Sequence, residues 1–125
     1  ANALFTLGHL YYDQRMLDIS KQQLNNVHGD MASYPGGYSN WALLLMDHVF
    51  PWYEIAITGP QALEQRREFF AHYVPGRVFL GSIGKSDLPL LEDKLMDDAT
   101  TIFVCENKVC QLPVTSVEQA LGQIR

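Results

Sequence analysis

The spacing of apolar residues changes near residue 52, and this change constrains the fold more than any other feature. Before that point apolar side chains such as Met16, Leu17 and Leu24 recur at helical spacing, as in a helix buried on one side. After it come short apolar runs bounded by turn residues, beginning with the strand-like segment 53–58. The 125 residues are the length of one domain. We therefore predict a single compact unit over 1–125, with a helical layer at 1–51 and a small α/β module at 52–125.

The first 51 residues predict three antiparallel helices. An apolar segment covers residues 2–12, and Asp13 is well suited to cap a second helix. The Tyr-Pro-Gly-Gly sequence at 34–37 should end that helix, because a proline ring and two glycines do not continue it. A third helix is expected from residue 39 or 40 until Pro51 closes it. Short turns between such helices favour an antiparallel layer.

The second half predicts the order β-α-β-α-β-β-α. The strand at 53–58 leads through Gly59-Pro60 into a helix and then a strand at 77–80, and such a connection implies a parallel pair. The remaining predicted elements are a short helix at 87–97, hairpin strands at 100–105 and 109–114, and a last helix at 117–124 behind a capping box at 115–118. The expected fold class is α/β (α+β), with the N-terminal antiparallel helices packed with a small mixed sheet.

The charge balance argues against a nucleic-acid partner. Nine Lys and Arg against fourteen Asp and Glu give a net charge of -5, and no basic stripe is present to neutralise a phosphate backbone. No apolar run reaches the roughly 20 residues of a membrane span, so we expect no membrane association and a cytoplasmic location. Charged residues make up only 18%, which suggests a surface that another protein covers. An apolar helix beginning at residue 2 strengthens the expectation of excision from a larger protein.

Two cysteines are the first candidates for chemistry. If Asn107 and Lys108 form a two-residue loop, Cys105 and Cys110 face each other at a non-hydrogen-bonded position of a hairpin. We favour two small, half-buried free thiols there. A reversible or structural disulfide is the alternative. A metal site is less consistent with the spacing, since Zn²⁺ needs three or four ligands, and we predict neither a metal nor a cofactor.

Other titratable groups predict structural roles. The histidines fall one in each of four predicted helices, at positions 9, 28, 48 and 72, and none forms an i, i+4 pair with another. His48 is expected at the edge of a packed face rather than as a general base. The acidic pairs Glu92-Asp93 and Asp97-Asp98 read as solvated surface.

Two glycine-containing turns resemble anion sites only in part. Gly59-Pro60 lies between a strand and a helix, where an open parallel sheet binds anions at the helix N-terminus. The segment Gly81-Ser82-Ile83-Gly84-Lys85-Ser86 contains Gly-Lys-Ser, but its glycines are too close together for a phosphate loop. We interpret this second match as chance.

The segment 99–115, ATTIFVCENKVCQLPVT, resembles the C-terminal signature of the YyaL-like proteins, the thioredoxin-domain family that includes the spermatogenesis-associated members. In that signature an Ala-Thr strand runs into Val-Cys-x-Asn-x-x-Cys-x-x-Pro, matched here by Cys105, Asn107, Cys110 and Pro113. Upstream, the elements between residues 34 and 59 agree in order and spacing.

The resemblance implies a place in a longer protein. Family members carry an N-terminal thioredoxin-like domain, then a helical-hairpin barrel resembling six-hairpin glycosidases and sugar epimerases, then a tail like this one. Residues 1–50 would be the last barrel helices, and the rest of the parent protein would be the partner. The expected function is a non-catalytic structural or interaction module that can self-associate when isolated. The alternatives are a thiol-redox site at the cysteine pair, or a contribution to a carbohydrate-processing barrel.

Overall fold

The computed structural model describes residues 1–96 and 98–124. Over these residues it shows an α+β fold, as predicted, with five α-helices and a four-stranded mixed sheet. The chain divides into two compact units, Ala1–Pro51 and Trp52–Arg125. The division lies where the apolar period changes in the sequence. Within the described ranges, no helix combines the length and the hydropathy that crossing a bilayer requires.

The first unit contains three helices that pack together, α1 (Asn2–Tyr11), α2 (Gln14–Met31) and α3 (Ser39–Val49). Asp13 caps α2 as predicted, because its carboxylate accepts hydrogen bonds from the main-chain N–H groups of Arg15 and Met16 at 2.9 and 3.3 Å. α2 ends at Met31, slightly before the predicted Tyr-Pro-Gly-Gly stop. The residues of that sequence begin a short 3₁₀ helix, Pro35–Tyr38, that leads into α3.

The second unit contains the sheet and two helices. Its elements are β1 (Tyr53–Thr58), α4 (Ala62–Phe69), β2 (Arg77–Ser82), β3 (Thr101–Glu106), β4 (Val109–Cys110) and α5 (Val117–Gly122). The strand order is β2-β1-β3-β4. β1 and β2 are parallel, as the β-α-β order predicts, while β3 is antiparallel to β1 and to β4.

Alternate residues of β1 and β3 build the core of the second unit. Ile55 and Ile57 of β1 lie on the same face as Ile102 and Val104 of β3, and all four are fully or almost fully buried. The core continues into α4 and α5 through Phe69, Val117 and Ala120. Each large side chain buried there contributes about 1.5–3 kcal/mol relative to exposure, so this face holds the helices on the sheet.

The predicted helix at 87–97 is wrong for the residues described there. Residues 88–93 form turns, in which the N–H groups of Leu91 and Glu92 both donate to the carbonyl of Leu88. Asp93 has a φ of 55°, a left-handed conformation that stops a helix. Leu90 and Leu91 are both buried although they are adjacent, so packing rather than helical spacing places them. Asp97 lies outside the described residues.

The last helix begins at Val117, as predicted, but its capping residues lie one position later than the predicted capping box. The N-cap is Ser116, whose hydroxyl accepts from the N–H of Gln119 at 3.3 Å. The Gln119 side chain in turn accepts from the N–H of Thr115 at 3.4 Å. Gln119, not Glu118, therefore supplies the reciprocal contact.

Candidate functional site

The cysteine signature forms a disulfide-closed hairpin. Asn107 and Lys108 have φ values of 50° and 68°, so both occupy the left-handed region that a two-residue type I′ turn requires. Cys105 and Cys110 are paired across the hairpin with their Cα atoms 3.8 Å apart. Just beyond them the N–H of Gln111 donates to the carbonyl of Val104 at 2.9 Å, so the cysteines occupy the non-hydrogen-bonded position between two bonded pairs.

The two sulfur atoms are joined at 2.03 Å, and neither cysteine is a free thiol. The structure therefore has the disulfide rather than the pair of free thiols that the sequence favoured. The physical reason is the turn, which brings the two Cα atoms close enough for side chains on one face to bond. Cys105 is 1% exposed, whereas Cys110 is half-buried on the short strand β4. Cys110 is therefore the more exposed of the two residues.

Pro113 occupies a β-bulge. The N–H and C=O groups of Val114 bond the main chain of Ile102 at 3.0 and 2.7 Å. Between this pair and the Val104–Gln111 pair, the single residue Phe103 faces both Leu112 and Pro113. The predicted strand 109–114 is thus interrupted after Cys110, because a proline lacks the N–H that a regular ladder needs.

All four signature residues therefore shape one hairpin. Cys105 and Cys110 crosslink it, Asn107 turns it, and Pro113 ends its regular pairing. This arrangement accounts for the spacing of the motif without invoking a bound ligand.

A buried carboxylate lies beside the disulfide. Glu54 of β1 is directly opposite Cys105 of β3, so both side chains lie on the same face of the sheet, and Glu54 is only 1% exposed. Its Oε2 accepts a hydrogen bond from the main-chain N–H of Lys108 at 3.2 Å. The sequence analysis missed this residue. The available signal was one charged residue inside the otherwise apolar or neutral strand YEIAIT.

Lys94 contributes a positive charge near this carboxylate. Its ammonium group lies 5.7 Å from the ring centre of Phe103, and its carbonyl accepts from the Thr58 hydroxyl at 2.8 Å. Burial lowers the pKa of Lys94 below its ordinary value, against the attraction of Glu54, Asp93 and Glu92, which raises it. The face of the sheet that carries the disulfide is therefore charged as well as buried.

The first unit holds a second polar cluster, which the sequence analysis did not anticipate. The ring of Phe5 lies edge-on to those of His9 and His48, each at 4.6 Å between centres. His48 Nε2 is 3.4 Å from the hydroxyl of Ser20, which is fully buried. His48 is half-buried, consistent with the predicted edge position. The i, i+4 spacing of Phe5 and His9 was the signal available in the sequence.

This cluster lacks the arrangement of a catalytic triad. Burial raises the pKa of Asp47, and the neighbouring charge of His9 lowers it by less. Burial, followed by the positive charges of Lys21 and His9, lowers the pKa of His48. Ser20 is fully buried, and a hydroxyl without solvent exposure has no access to a substrate.

The remaining sequence candidates do not form a site among the described residues. His28 is exposed, and His72 lies just beyond the end of α4 rather than in it. Glu92, Asp93 and Asp98 are exposed, as predicted for a solvated surface, and Asp97 lies outside the description. Over residues 1–96 and 98–124, no group of three or more His, Cys, Asp or Glu side chains is arranged to hold a metal ion.

Hydrogen-bonding groups in both glycine-containing turns are already paired within the chain. The N–H of Gln61 donates to the Thr100 hydroxyl at 2.8 Å, and the N–H of Ala62 donates to the Gly59 carbonyl at 3.1 Å. These donors at the start of α4 are therefore already paired, which disfavours the anion site. In the 81–86 segment the Ser82 hydroxyl bonds the main chain of Gly84, and no helix follows. The Gly-Lys-Ser match to a phosphate loop therefore arises by chance.

Comparison with family models, with curated proteins and with solved structures found no match to this chain. The fold and the site together define an α+β protein with a disulfide-closed hairpin beside a buried glutamate.

Proposed function

We propose that this chain is a non-catalytic C-terminal module of a larger protein of the YyaL-like family, and that its helical unit packs against the helical barrel of that protein. The observation that carries the proposal is an exposed apolar stripe on α3 that includes Phe50, the C-cap residue of the helix. Leu43, Met46, Val49 and Phe50 are 59%, 51%, 67% and 62% exposed.

The stripe has the geometry of a helix–helix contact. Leu43, Met46 and Val49 follow one another at intervals of three residues on α3, so neighbouring members lie one turn apart, and Phe50 follows directly as the C-cap. Leu44, by contrast, is 1% exposed and faces the interior. A helix with apolar residues on both sides is typical of one buried between two layers.

The first helix, α1, also exposes apolar side chains on one face. Leu7 and Tyr11 of α1 are exposed one turn apart, while Phe5 and His9 are buried on the opposite side. Exposed apolar residues grouped at helical spacing differ from singly scattered ones and indicate a contact surface. Together with the low charge content, they support a partner made of apolar helices.

Methionine oxidation tests this proposal on the protein encoded by the complete reading frame. Met46 in the stripe and Met96 in the second unit are similarly exposed here, at 51% and 47%, which makes Met96 the matched control. With dilute peroxide we expect both to oxidise in the isolated chain. In the longer protein we expect Met46 to be protected and Met96 to react as before. Equal reactivity of Met46 in both forms, or a reading frame without upstream sequence, would refute the proposal.

The disulfide favours a second candidate function, thiol exchange at Cys110. An external thiolate of the glutathione class attacks Cys110 Sγ, and the S–S bond breaks as Cys105 leaves as a thiolate. A second external thiol then displaces Cys110, leaving two protein thiols and one oxidised external disulfide. The half-buried position of Cys110 supports this order of attack. In the cytoplasm, the expected location, such a disulfide is exposed to reduction.

The reduction potential distinguishes exchange from a structural role. Equilibration in glutathione buffers, with the two states separated by mass after thiol alkylation, gives this potential. A value above about −300 mV supports exchange, whereas a lower one assigns the bond a purely structural role. A Cys105→Ala, Cys110→Ser variant serves as the control for alkylation at other groups.

A further inference from the structure

β2 is an edge strand with one free side. In the described sheet its only neighbour is β1. The N–H groups of Tyr53 and Gly59 donate to the carbonyls of Gly76 and Ser82 at 2.7 and 2.8 Å. In a parallel pair the main-chain groups point alternately toward and away from the neighbour. The main-chain groups of residues 77, 79 and 81 therefore point away from β1, along the free edge.

This edge has few of the features that normally prevent further pairing, since its one charged residue, Arg77, stands at the start of the strand. The register of β1 and β2 runs without a bulge from Tyr53–Arg77 to Thr58–Ser82. The strand RVFLGS contains neither proline nor lysine, and its centre is apolar. Natural edge strands are usually protected by a bulge, a proline or a lysine. An edge without them is suited to receive another strand.

A groove runs beside the free edge, between α4 and β2. Its volume is about 540 Å³, and its apolar walls include Leu63, Leu80 and Ile83. Gly81 contributes no side chain and so leaves the groove open at the strand itself. Leu63 and Ile83 are 55% and 76% exposed. A strand added along β2 would place alternate side chains in this space.

The same edge carries positive charge. Arg66 in the groove wall lies 4.8 Å from the ring centre of Phe70, and Arg77 lies 5.6 Å from that of Phe79. The acidic residues of α4, Glu64 and Glu68, are not among the residues that line the groove. The chain as a whole has a net charge of -5, so this local positive charge runs against the global charge.

We propose that the free edge of β2 and the adjoining groove bind an extended peptide by strand addition, and that the peptide directs an apolar and an acidic side chain into the groove. The main-chain groups of 77, 79 and 81 supply the hydrogen bonds, the groove takes the apolar side chain, and Arg66 pairs with the acidic one. The charge complementarity selects an acidic peptide over a second copy of this chain. The site belongs to the second unit and does not depend on the proposed parent protein.

The probe is a fluorescein-labelled octapeptide, Thr-Glu-Thr-Val repeated twice, and its binding is followed by fluorescence anisotropy. Arg66→Glu is expected to weaken binding about tenfold or more, because a charged hydrogen bond is replaced by repulsion. Arg67→Glu is the matched control, since it makes the same charge change one residue away, outside the groove lining. We expect it to change binding by less than about twofold. Both arginines are exposed, so neither change should affect folding, which circular dichroism checks.

A second arm tests strand addition on the peptide side. N-methylation of alternate residues removes the main-chain donors along one edge of the peptide, and methylation of the other set removes those of the other edge. Methylation of one set of residues should abolish binding, and methylation of the other set should leave binding unchanged. A probe with Lys in place of Glu should bind less tightly than the original.

Several results would overturn the proposal. The first is an equal loss of peptide affinity for Arg66→Glu and Arg67→Glu. The second is a probe with Lys in place of Glu that binds as tightly as the original. The third is unchanged binding of both N-methylated peptides. Failure of the probe to bind a chain that sediments as a monomer would also reject it. A dimer that does not bind the probe would assign the edge to a second copy instead.

Discussion

Glu54 accepts a hydrogen bond from the main-chain N–H of Lys108, 54 residues further along the chain, at 3.2 Å. This bond links the centre of the sheet to the turn of the disulfide hairpin. It also holds the main chain of Lys108 against the buried side chain of Glu54. Glu54 is 1% exposed, so its side chain makes this bond away from bulk water.

Replacing Glu54 by alanine should destabilise the second unit. The Lys108 N–H loses its acceptor, and we expect a loss of about 1–3 kcal/mol in the free energy of unfolding. Glu54→Gln keeps an acceptor oxygen and should cost less. Urea unfolding followed by Trp52 fluorescence, in a Trp41→Phe background, measures both changes. Equal losses for the two variants would contradict a role for this hydrogen bond.

Glu54→Gln should also have an electrostatic effect on Lys94. The negative charge of Glu54 raises the pKa of Lys94 against the effect of burial, so Glu54→Gln should lower that pKa further. NMR titration of the Lys94 side chain measures the change. Lys85, in the exposed 83–86 loop, is the control and should not change. A rise in the pKa of Lys94 would be inconsistent with this prediction.

Reducing the disulfide should weaken the second unit without unfolding it. The crosslink joins residues five apart in sequence, and closing so short a loop contributes about 2 kcal/mol in the chain-entropy account. A reductant should therefore lower the urea midpoint of the natural chain. The Cys105→Ala, Cys110→Ser variant should have the lower midpoint already and not respond to reductant. The core around Ile55 and Val104 does not include the disulfide, so the sheet should persist in both cases.

Gly59 should not tolerate a side chain. Its φ is 121°, and a Cβ built there would lie 2.5 Å from the carbonyl oxygen of Ala99 and 2.6 Å from the Cα of Thr100. Both are main-chain atoms that cannot rotate away, so Gly59→Ala should cost about 2–4 kcal/mol. Gly84→Ala is the control, because nothing lies within 4 Å of its built Cβ. Similar unfolding midpoints for the two variants would show that the close approach to Thr100 is not required.

The stability of the first unit should fall as the pH drops below about 6.5. Burial lowers the pKa of His48 in the folded chain below its ordinary value of 6.5. Between these two values the unfolded chain binds more protons, so stability rises with pH and is lost as pH falls. The raised pKa of Asp47 has the opposite sign, since the folded chain binds more protons just above 3.8. We therefore expect His48 to set the slope in the pH range just below 6.5.

Urea midpoints across that range, followed by Trp41 fluorescence in a Trp52→Phe background, measure the effect. His48→Gln should flatten the dependence, whereas His28→Gln should not, because His28 is exposed. Parallel profiles for the natural chain and His48→Gln would exclude His48 as the source of the slope.

Local chemistry was sufficient for much of the hairpin and the secondary structure. The strand-like runs on either side predicted the tight turn at Asn107 and Lys108, and the period of two then placed Cys105 opposite Cys110. β1 was predicted to the residue because its apolar run is bounded by Pro51 and Gly59. These features depend on neighbours within a few residues, which the sequence displays directly.

Long-range packing settled the rest, since no local pattern encodes which distant residues meet. The helix predicted at 87–97 became a series of turns because Leu90 and Leu91 are buried together and Asp93 takes a left-handed conformation. The partners of Glu54 and His48 come from residues 54 and 28 positions away, and their burial is a property of the folded units. The sum of many weak contacts in the folded chain overrides helix propensity where the two disagree.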